Sequence, residues 1–225
     1  MKGRALVWYA AYGSNMHLDR LTTYLEGGRP PGGRHRHPGC RDPRPPARSA
    51  PLLLPGTLYF ATESQVWTGG RAFYDPDADG QLPARVYLLT VSQFSDIAAQ
   101  EMYRDPGEDL DLTEALRQGR ARLGPGRYET LVCAGRLEGS PVLTFTAPWS
   151  STDVPLNAPS AAYLRHIAAG IVAAHGWNAR RTAAYLAACP GAAGRWPVAE
   201  IEALLTESGA ATAAPGDPAD RRRIR

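Results

Sequence analysis

Lysine is nearly missing from this chain: Lys2 is the only one, although the 225 residues carry 25 basic side chains. The remainder are arginine, and alongside abundant alanine, glycine and proline they read as the coding bias of a GC-rich genome. The formal net charge of +3 is mild. A phosphate-binding loop needs Gly-Lys-Ser/Thr, which a lone Lys2 cannot supply. Cysteine is scarce too. Cys40, Cys133 and Cys189 are odd in number, far apart and form no Cys-x-x-Cys pair, which argues against a disulfide framework or a cysteine zinc site and for a reducing, cytoplasmic setting. No apolar run is long enough to span a membrane. The run at 5–12 follows Lys2 and Arg4 but is short for a signal-peptide core and has no small-residue cleavage site after it. Gly-x-Ser-x-Gly is absent, and with it the Ser-His-Asp arrangement. His35 and His37 alternate with arginines, a weak pattern for a metal site, and none is expected.

What is present reads as an α+β chain long enough to bury a core. Residues 5–12 predict a buried strand and 15–26 a helix, with Leu18, Leu21 and Leu25 at helical spacing and Gly27-Gly28 as the stop. Residues 27–51 read as a long, mobile basic loop. Strand character returns at 52–62, 72–74, 84–90, 128–136 and 142–146, with turns at 75–80 and 138–140. Ser92 is the expected cap of a helix running to about Tyr103, with Phe94, Ile97, Ala98 and Met102 on its apolar face. A further helix is expected at 113–122. Three helices close the chain, opened by Ser160, Asn178 and Pro197 and ending near Gly176, Pro190 and Gly209. Residues 210–225 have the composition of a disordered tail. The expected organisation is one domain over 1–209, with 177–209 as a helical extension.

Two places attract chemistry. The strand ending in Tyr12-Gly13-Ser14-Asn15 turns through glycine towards a helix, which would aim several backbone N–H groups at one spot and favour negative charge there. Ser14 and Asn15 are equally ordinary N-cap residues, and on local pattern alone a plain capped helix is the simpler reading. Glu101 falls near the end of the central helix among Ala98, Ala99 and Met102. A carboxylate held among apolar groups suits taking up and returning a proton near neutral pH. By position alone Glu101 stands no higher than Glu108, Glu114 or Asp96, and His17 reads as a surface or half-buried histidine.

Taken together, these pieces resemble the gamma-glutamylcyclotransferase family. Tyr9-Ala10-Ala11-Tyr12-Gly13-Ser14-Asn15 matches its Tyr-x-Ala-Tyr-Gly-Ser-Asn hallmark. Trp67-Thr68-Gly69-Gly70 looks like its Trp-x-Gly-Gly segment, and the strand at 84–90 is similar to the one before its catalytic helix. Gln100-Glu101 falls where the family carries its essential glutamate. Tyr128 and Ser160-Ala161-Ala162-Tyr163 follow in order, so the resemblance spans roughly 5–176. It implies a small mixed β-barrel flanked by helices and a cofactor-free, metal-free reaction: the α-amine of a γ-glutamyl amide attacks its own γ-carbonyl, giving 5-oxoproline and a free amine or amino acid. It assigns proton transfer to Glu101 and substrate binding to Tyr9, Ala10, Ala11, Tyr12, Gly13, Ser14, Asn15, Tyr128 and Tyr163. The Gly-Ser-Asn N–H groups would hold either the α-carboxylate or the oxyanion.

Residues 27–51 and 103–127 depart from the family pattern, and the second would border the leaving-group pocket. The expected partner is a small γ-glutamyl substrate. An acidic tripeptide such as glutathione and a γ-glutamyl-protected biosynthetic amine both fit, the coding bias favouring the second. Two other functions compete. One is a non-catalytic ligand-binding module with Glu101 misdirected. The other is nucleic-acid binding through Arg34, Arg36, Arg41, Arg44, Arg48 and the terminal arginines, against which the lack of interleaved aromatic residues counts. Monomer and homodimer both stay open.

Overall fold

The computed structural model describes residues 5–29 and 36–206. Arg34, the end of the last expected helix beyond 206 and the 210–225 tail lie outside the described residues. The opening apolar run is β1 (Leu6–Ala11), and all its residues after Leu6 are buried. It lies inside a six-stranded sheet with β2 (Arg48–Pro55), β5 (Gln81–Thr90), β6 (Arg120–Arg122), β7 (Thr130–Leu137) and β8 (Ser140–Thr146), in the order β2-β5-β1-β8-β7-β6. The β1–β8 pairing is parallel and the others are antiparallel, so the sheet is mixed as expected. Successive residues of β1 from Val7 to Ala11 are all buried, so both its faces are covered, which explains why its sequence is a continuous apolar run rather than an alternating one.

β3 (Thr57–Ala61) and β4 (Arg71–Asp75) form a separate two-stranded ribbon. The Thr146 hydroxyl fastens it to β8, accepting from the Tyr74 N–H at 3.0 Å and donating to the Tyr74 carbonyl at 2.7 Å. The expected single strand at 52–62 is therefore two, parted at Gly56, whose φ of 105° lies in the left-handed region. β5 begins before the expected residue 84 because Pro83 lies where β5 has β2 beside it but β1 has not yet begun to pair, so its missing N–H costs no bond on that side.

Among the described residues six helices accompany the sheet: α1 (Leu18–Glu26), α2 (Val91–Glu101), α3 (Thr113–Gln118), α4 (Ala161–His175), α5 (Ala179–Ala188) and α6 (Val198–Thr206). α2 packs over β1 and β5, with Phe94, Ile97 and Ala98 fully buried as expected. Its cap is Thr90 rather than Ser92. The Thr90 side chain accepts from the Gln93 N–H, and the Gln93 side chain returns a bond to the Thr90 N–H. The helix expected at 113–122 stops at Gln118, where Gly119 turns left-handed, and 120–122 pair with β7 instead. α4 and α5 are capped by Ser160 and Asn178 as read from the sequence. One hydrophobic cluster runs from Val7 in β1 to Leu205 in α6, so the C-terminal helices share the core of the sheet.

The basic segment after α1 is tied down where it is described. The Cys40 N–H bonds to the Leu25 carbonyl, and Arg41 binds Asp96 of α2 and Asp109. Arg44 pairs with Asp42 and Arg48 with Glu138, so three of the arginines considered for nucleic acid are engaged by carboxylates. No helix among the described residues is long and apolar enough to cross a membrane.

Candidate active site

The turn after β1 does not start a helix directly. Ser14–Met16 make one 3-10 turn, His17 returns to extended backbone, and α1 begins at Leu18. No side chain caps the turn, which displaces the plain capped-helix reading of Ser14 and Asn15. The Tyr87 hydroxyl of β5 instead reaches the carbonyls of Asn15 and Met16, at 3.0 and 2.9 Å. From the other side, α4 closes against the turn at Gly170. A Cβ there would stand 2.9 Å from the Met16 Cβ. The His166 Nε2–H donates to the Ser14 carbonyl at 3.2 Å, and the His17 Nε2–H donates to the His166 carbonyl at 2.8 Å.

Held this way, Asn15 is 4 % exposed and its amide turns inward. It donates to Glu101 Oε1 at 2.9 Å and to the Tyr9 hydroxyl at 3.3 Å. Asn15 is therefore the bond between the turn and the end of α2, 86 residues apart in sequence. Glu101 is half-buried and borders two adjoining cavities. The inner one, of about 50 Å³, is walled by Tyr9, Tyr12, Gly13, Ser14, Asn15, Tyr128 and Tyr163, with Ala72 and Phe145. The outer one, of about 120 Å³, adds Arg20, Tyr24, Trp67, Arg71 and Tyr103. Ser14, Glu101, Tyr128 and Tyr163 belong to both.

The inner walls are phenols held neutral. Burial raises Tyr9, Tyr12 and Tyr128 above the usual phenol range, and the Glu101 charge adds to the rise for Tyr9. Burial pushes Tyr163 up to about 12. At neutral pH these hydroxyls are donors. Tyr12 donates to the Phe145 carbonyl at 2.9 Å and Tyr128 to the Ala72 carbonyl at 3.1 Å. A Cβ on Gly13 would meet the Tyr163 hydroxyl at 3.5 Å, an ordinary contact, which places that phenol directly over the turn.

The Trp67-Thr68-Gly69-Gly70 segment has a packing cause. A Cβ on Gly69 would collide with the Ala158 carbonyl, and one on Gly70 with the Asn157 carbonyl. This close approach lets the Ser160 hydroxyl donate to the Trp67 carbonyl at 2.6 Å while accepting from the Tyr163 N–H. Trp67 and Tyr163 then stack, 5.3 Å between ring centroids and 16° between planes. The two motifs thus build one wall.

Of the residues expected at the site, Tyr9, Tyr12, Gly13, Ser14, Asn15, Glu101, Tyr128 and Tyr163 surround the inner cavity. Ala10 and Ala11 do not. They are buried in β1, paired with β5, and line neither cavity. Sequence reasoning missed Arg20, Tyr24, Arg71, Gln100 and Phe145. Arg20 and Tyr24 had a signal, being four apart on one face of α1 just beyond the turn. The described residues hold no group of three His, Cys, Asp or Glu side chains placed to bind a metal.

No family model matches the chain. It is 32 % identical over 184 residues to histone deacetylase 5 of Arabidopsis thaliana, covering 74 % of this chain and 28 % of that protein, so the chain spans under a third of that relative's length. Among solved structures it is similar to a gamma-glutamyl cyclotransferase, with TM-score 0.47 and 17 % identity over 90 % of this chain and 99 % of that one. It is also similar to an uncharacterized protein from Homo sapiens, with TM-score 0.43 and 16 % identity over 97 % of this chain and 94 % of that one. YkqA from Bacillus subtilis follows, with TM-score 0.34 and 15 % identity over 75 % of this chain and 49 % of that one. These are likenesses of fold only.

Proposed function

We propose that the protein is a γ-glutamyl cyclotransferase, releasing 5-oxoproline and a free amine from a γ-glutamyl amide. One observation carries this reading: a half-buried carboxylate, Glu101, is hydrogen-bonded by Asn15 at the junction of a small phenol-lined cavity and a larger one. The inner cavity would take the reacting end of a folded glutamyl chain, and the adjoining outer one its remainder and the departing group. The bond that breaks would lie beside Glu101.

In this mechanism the turn and the phenols hold the glutamyl head bent, with its α-nitrogen against its own γ-carbonyl. Such orientation is worth roughly 7–11 kcal/mol of barrier in well-aligned intramolecular reactions. Glu101 takes a proton from the α-ammonium, and the freed amine attacks the γ-carbon. A C–N bond forms, and the carbonyl electrons move to oxygen. The N–H groups of Ser14 and Asn15, which the 3-10 turn does not itself use, and the Tyr9 and Tyr163 hydroxyls, whose protons are not spent on a backbone carbonyl as those of Tyr12 and Tyr128 are, stand as donors for the α-carboxylate and the oxyanion. The tetrahedral species collapses, the original amide C–N bond breaks, and Glu101 passes protons to the departing nitrogen. Two protons leave the attacking nitrogen and two reach the leaving one, so the amine departs as an ammonium and the carboxylate is restored.

The test is a panel of γ-glutamyl amino acids and amines incubated with the purified protein, with 5-oxoproline measured by mass spectrometry. Release from at least one member, in step with release of its amine, supports the proposal. Binding without release would make the fold a ligand-binding module.

A further inference from the structure

A pair of histidines makes two reciprocal hydrogen bonds between α4 and the turn after β1. The His166 Nε2–H donates to the Ser14 carbonyl at 3.2 Å, and the His17 Nε2–H donates back to the His166 carbonyl at 2.8 Å. The two rings stand 4.1 Å apart between centroids, and the His166 ring also packs on Trp67 at 4.9 Å. Burial, with His17 beside it, lowers His166 to about 4, so near pH 7 its ring is neutral and carries one proton. A carbonyl only accepts, so its partner Ser14 keeps that proton on Nε2. Neither histidine lines a cavity, and neither would touch a bound molecule there.

What His166 fixes is a peptide plane. The Ser14 carbonyl and the Asn15 N–H belong to one planar unit and point opposite ways. A carbonyl pinned to α4 therefore gives that N–H a set direction, and the N–H has no acceptor among the described residues. Ser14 and Asn15 both wall the inner cavity. The turn's own bond to the same carbonyl, from the His17 N–H, is 3.3 Å long, and no side chain caps the turn. The imidazole is thus the second restraint on the plane. A carbonyl that accepts a further hydrogen bond also polarises its peptide, which strengthens the N–H as a donor.

We propose that His166 is a positioning residue, which acts through the Ser14 carbonyl to aim and strengthen the Asn15 N–H as a donor to the reacting glutamyl head. This rests on the cyclotransferase reading, which gives that N–H its task. The experiment separates the donor from the ring. His166→Phe keeps an aromatic ring for Trp67 and His17 to pack on but donates nothing. His166→Gln keeps an N–H near the place of Nε2 but has no ring. Two quantities are read: the NMR shift of the Asn15 amide nitrogen in the free protein, and kcat and KM for 5-oxoproline release from γ-glutamylalanine. His166→Phe should move the shift and lower kcat/KM about tenfold, less than the 10²–10³ typical of deleting such a donor outright, because the N–H itself remains. His166→Gln should bring both back towards the wild type. A role in packing alone predicts the reverse order, since Phe replaces the ring and Gln does not. Thermal unfolding checks that each variant is folded, and His166→Leu serves as the variant without a donor if His166→Phe is not. An unmoved shift or an unmoved kcat/KM in the donorless variant overturns the inference, as does a Gln variant no better than the donorless one. A shift that follows the donor while the wild type releases no 5-oxoproline removes the cyclotransferase reading and leaves His166 as the group that aims the N–H.

Discussion

In the proposed reaction Glu101 works through the side chains that hold it, Asn15 and Tyr24. Asn15 fixes the carboxylate with one amide N–H at 2.9 Å. Replacing Asn15 by Asp would put a second carboxylate in its place, and like charges at such range raise the proton affinity of the pair. The acid limb of the pH–rate profile should then move to higher pH in Asn15→Asp, while Asn15→Ala lowers kcat without that move. An unmoved limb would mean that Asn15 does not hold the proton-transfer group. Much at this scale was legible in the sequence: the ordered Tyr12-Gly13-Ser14-Asn15, Glu101, Tyr128 and Tyr163 do surround one cavity. The role of Asn15 was not, because an Asn after a strand reads first as a helix cap, and its true partner is 86 positions away. Arg71 was hidden for the same reason. Its place in the outer cavity is set by how β4 approaches α1 and α2, which no local pattern encodes.

Elements were easier to find than their ends. α2 was expected from its apolar spacing, yet the reading took Ser92, the last hydroxyl before the apolar face, as the cap. The better signature was Thr90-x-x-Gln93, where each side chain serves the other's backbone. Thr90→Ala should therefore cost about 1 kcal/mol of stability, typical of a lost cap. Ser92→Ala should stay within about 0.5 kcal/mol. Equal costs in urea unfolding would contradict the assignment. α4 gives a second case. Gly170→Val would drive a side chain into Met16, beneath the turn that carries Asn15. Overpacking of this kind costs about 1–3 kcal/mol, and here activity should fall further than stability alone explains. The split of 113–122 into α3 and β6 was not legible because Gly119 was read within the helix rather than as its left-handed end.

At the scale of the whole molecule, α4 couples the turn to the core and carries two half-buried histidines. Burial lowers both His166 and His175 from 6.5 to about 4. The unfolded chain binds protons at these positions below pH 6.5 while the folded one does not, so stability is complete above that pH and declines as pH falls towards 4. Urea unfolding between pH 7.5 and pH 4.5 should show this loss, and His166→Gln should flatten it. A slope unchanged by the substitution would place His166 outside the linkage. The mixed sheet and flanking helices were legible as a class from the uneven alternation of strands and helices. The attachment of the β3–β4 ribbon through Thr146 was not, since it uses one side chain in place of a strand ladder. Sheet, ribbon and α4 meet where Glu101 faces the turn. The most direct measurement is 5-oxoproline release from γ-glutamylalanine by the wild type and by Glu101→Gln of matched thermal stability. Release should occur and fall by about 10²–10⁴-fold in the variant, the usual contribution of a positioned proton-transfer group; equal rates in the two proteins would contradict the assignment of Glu101 as that group.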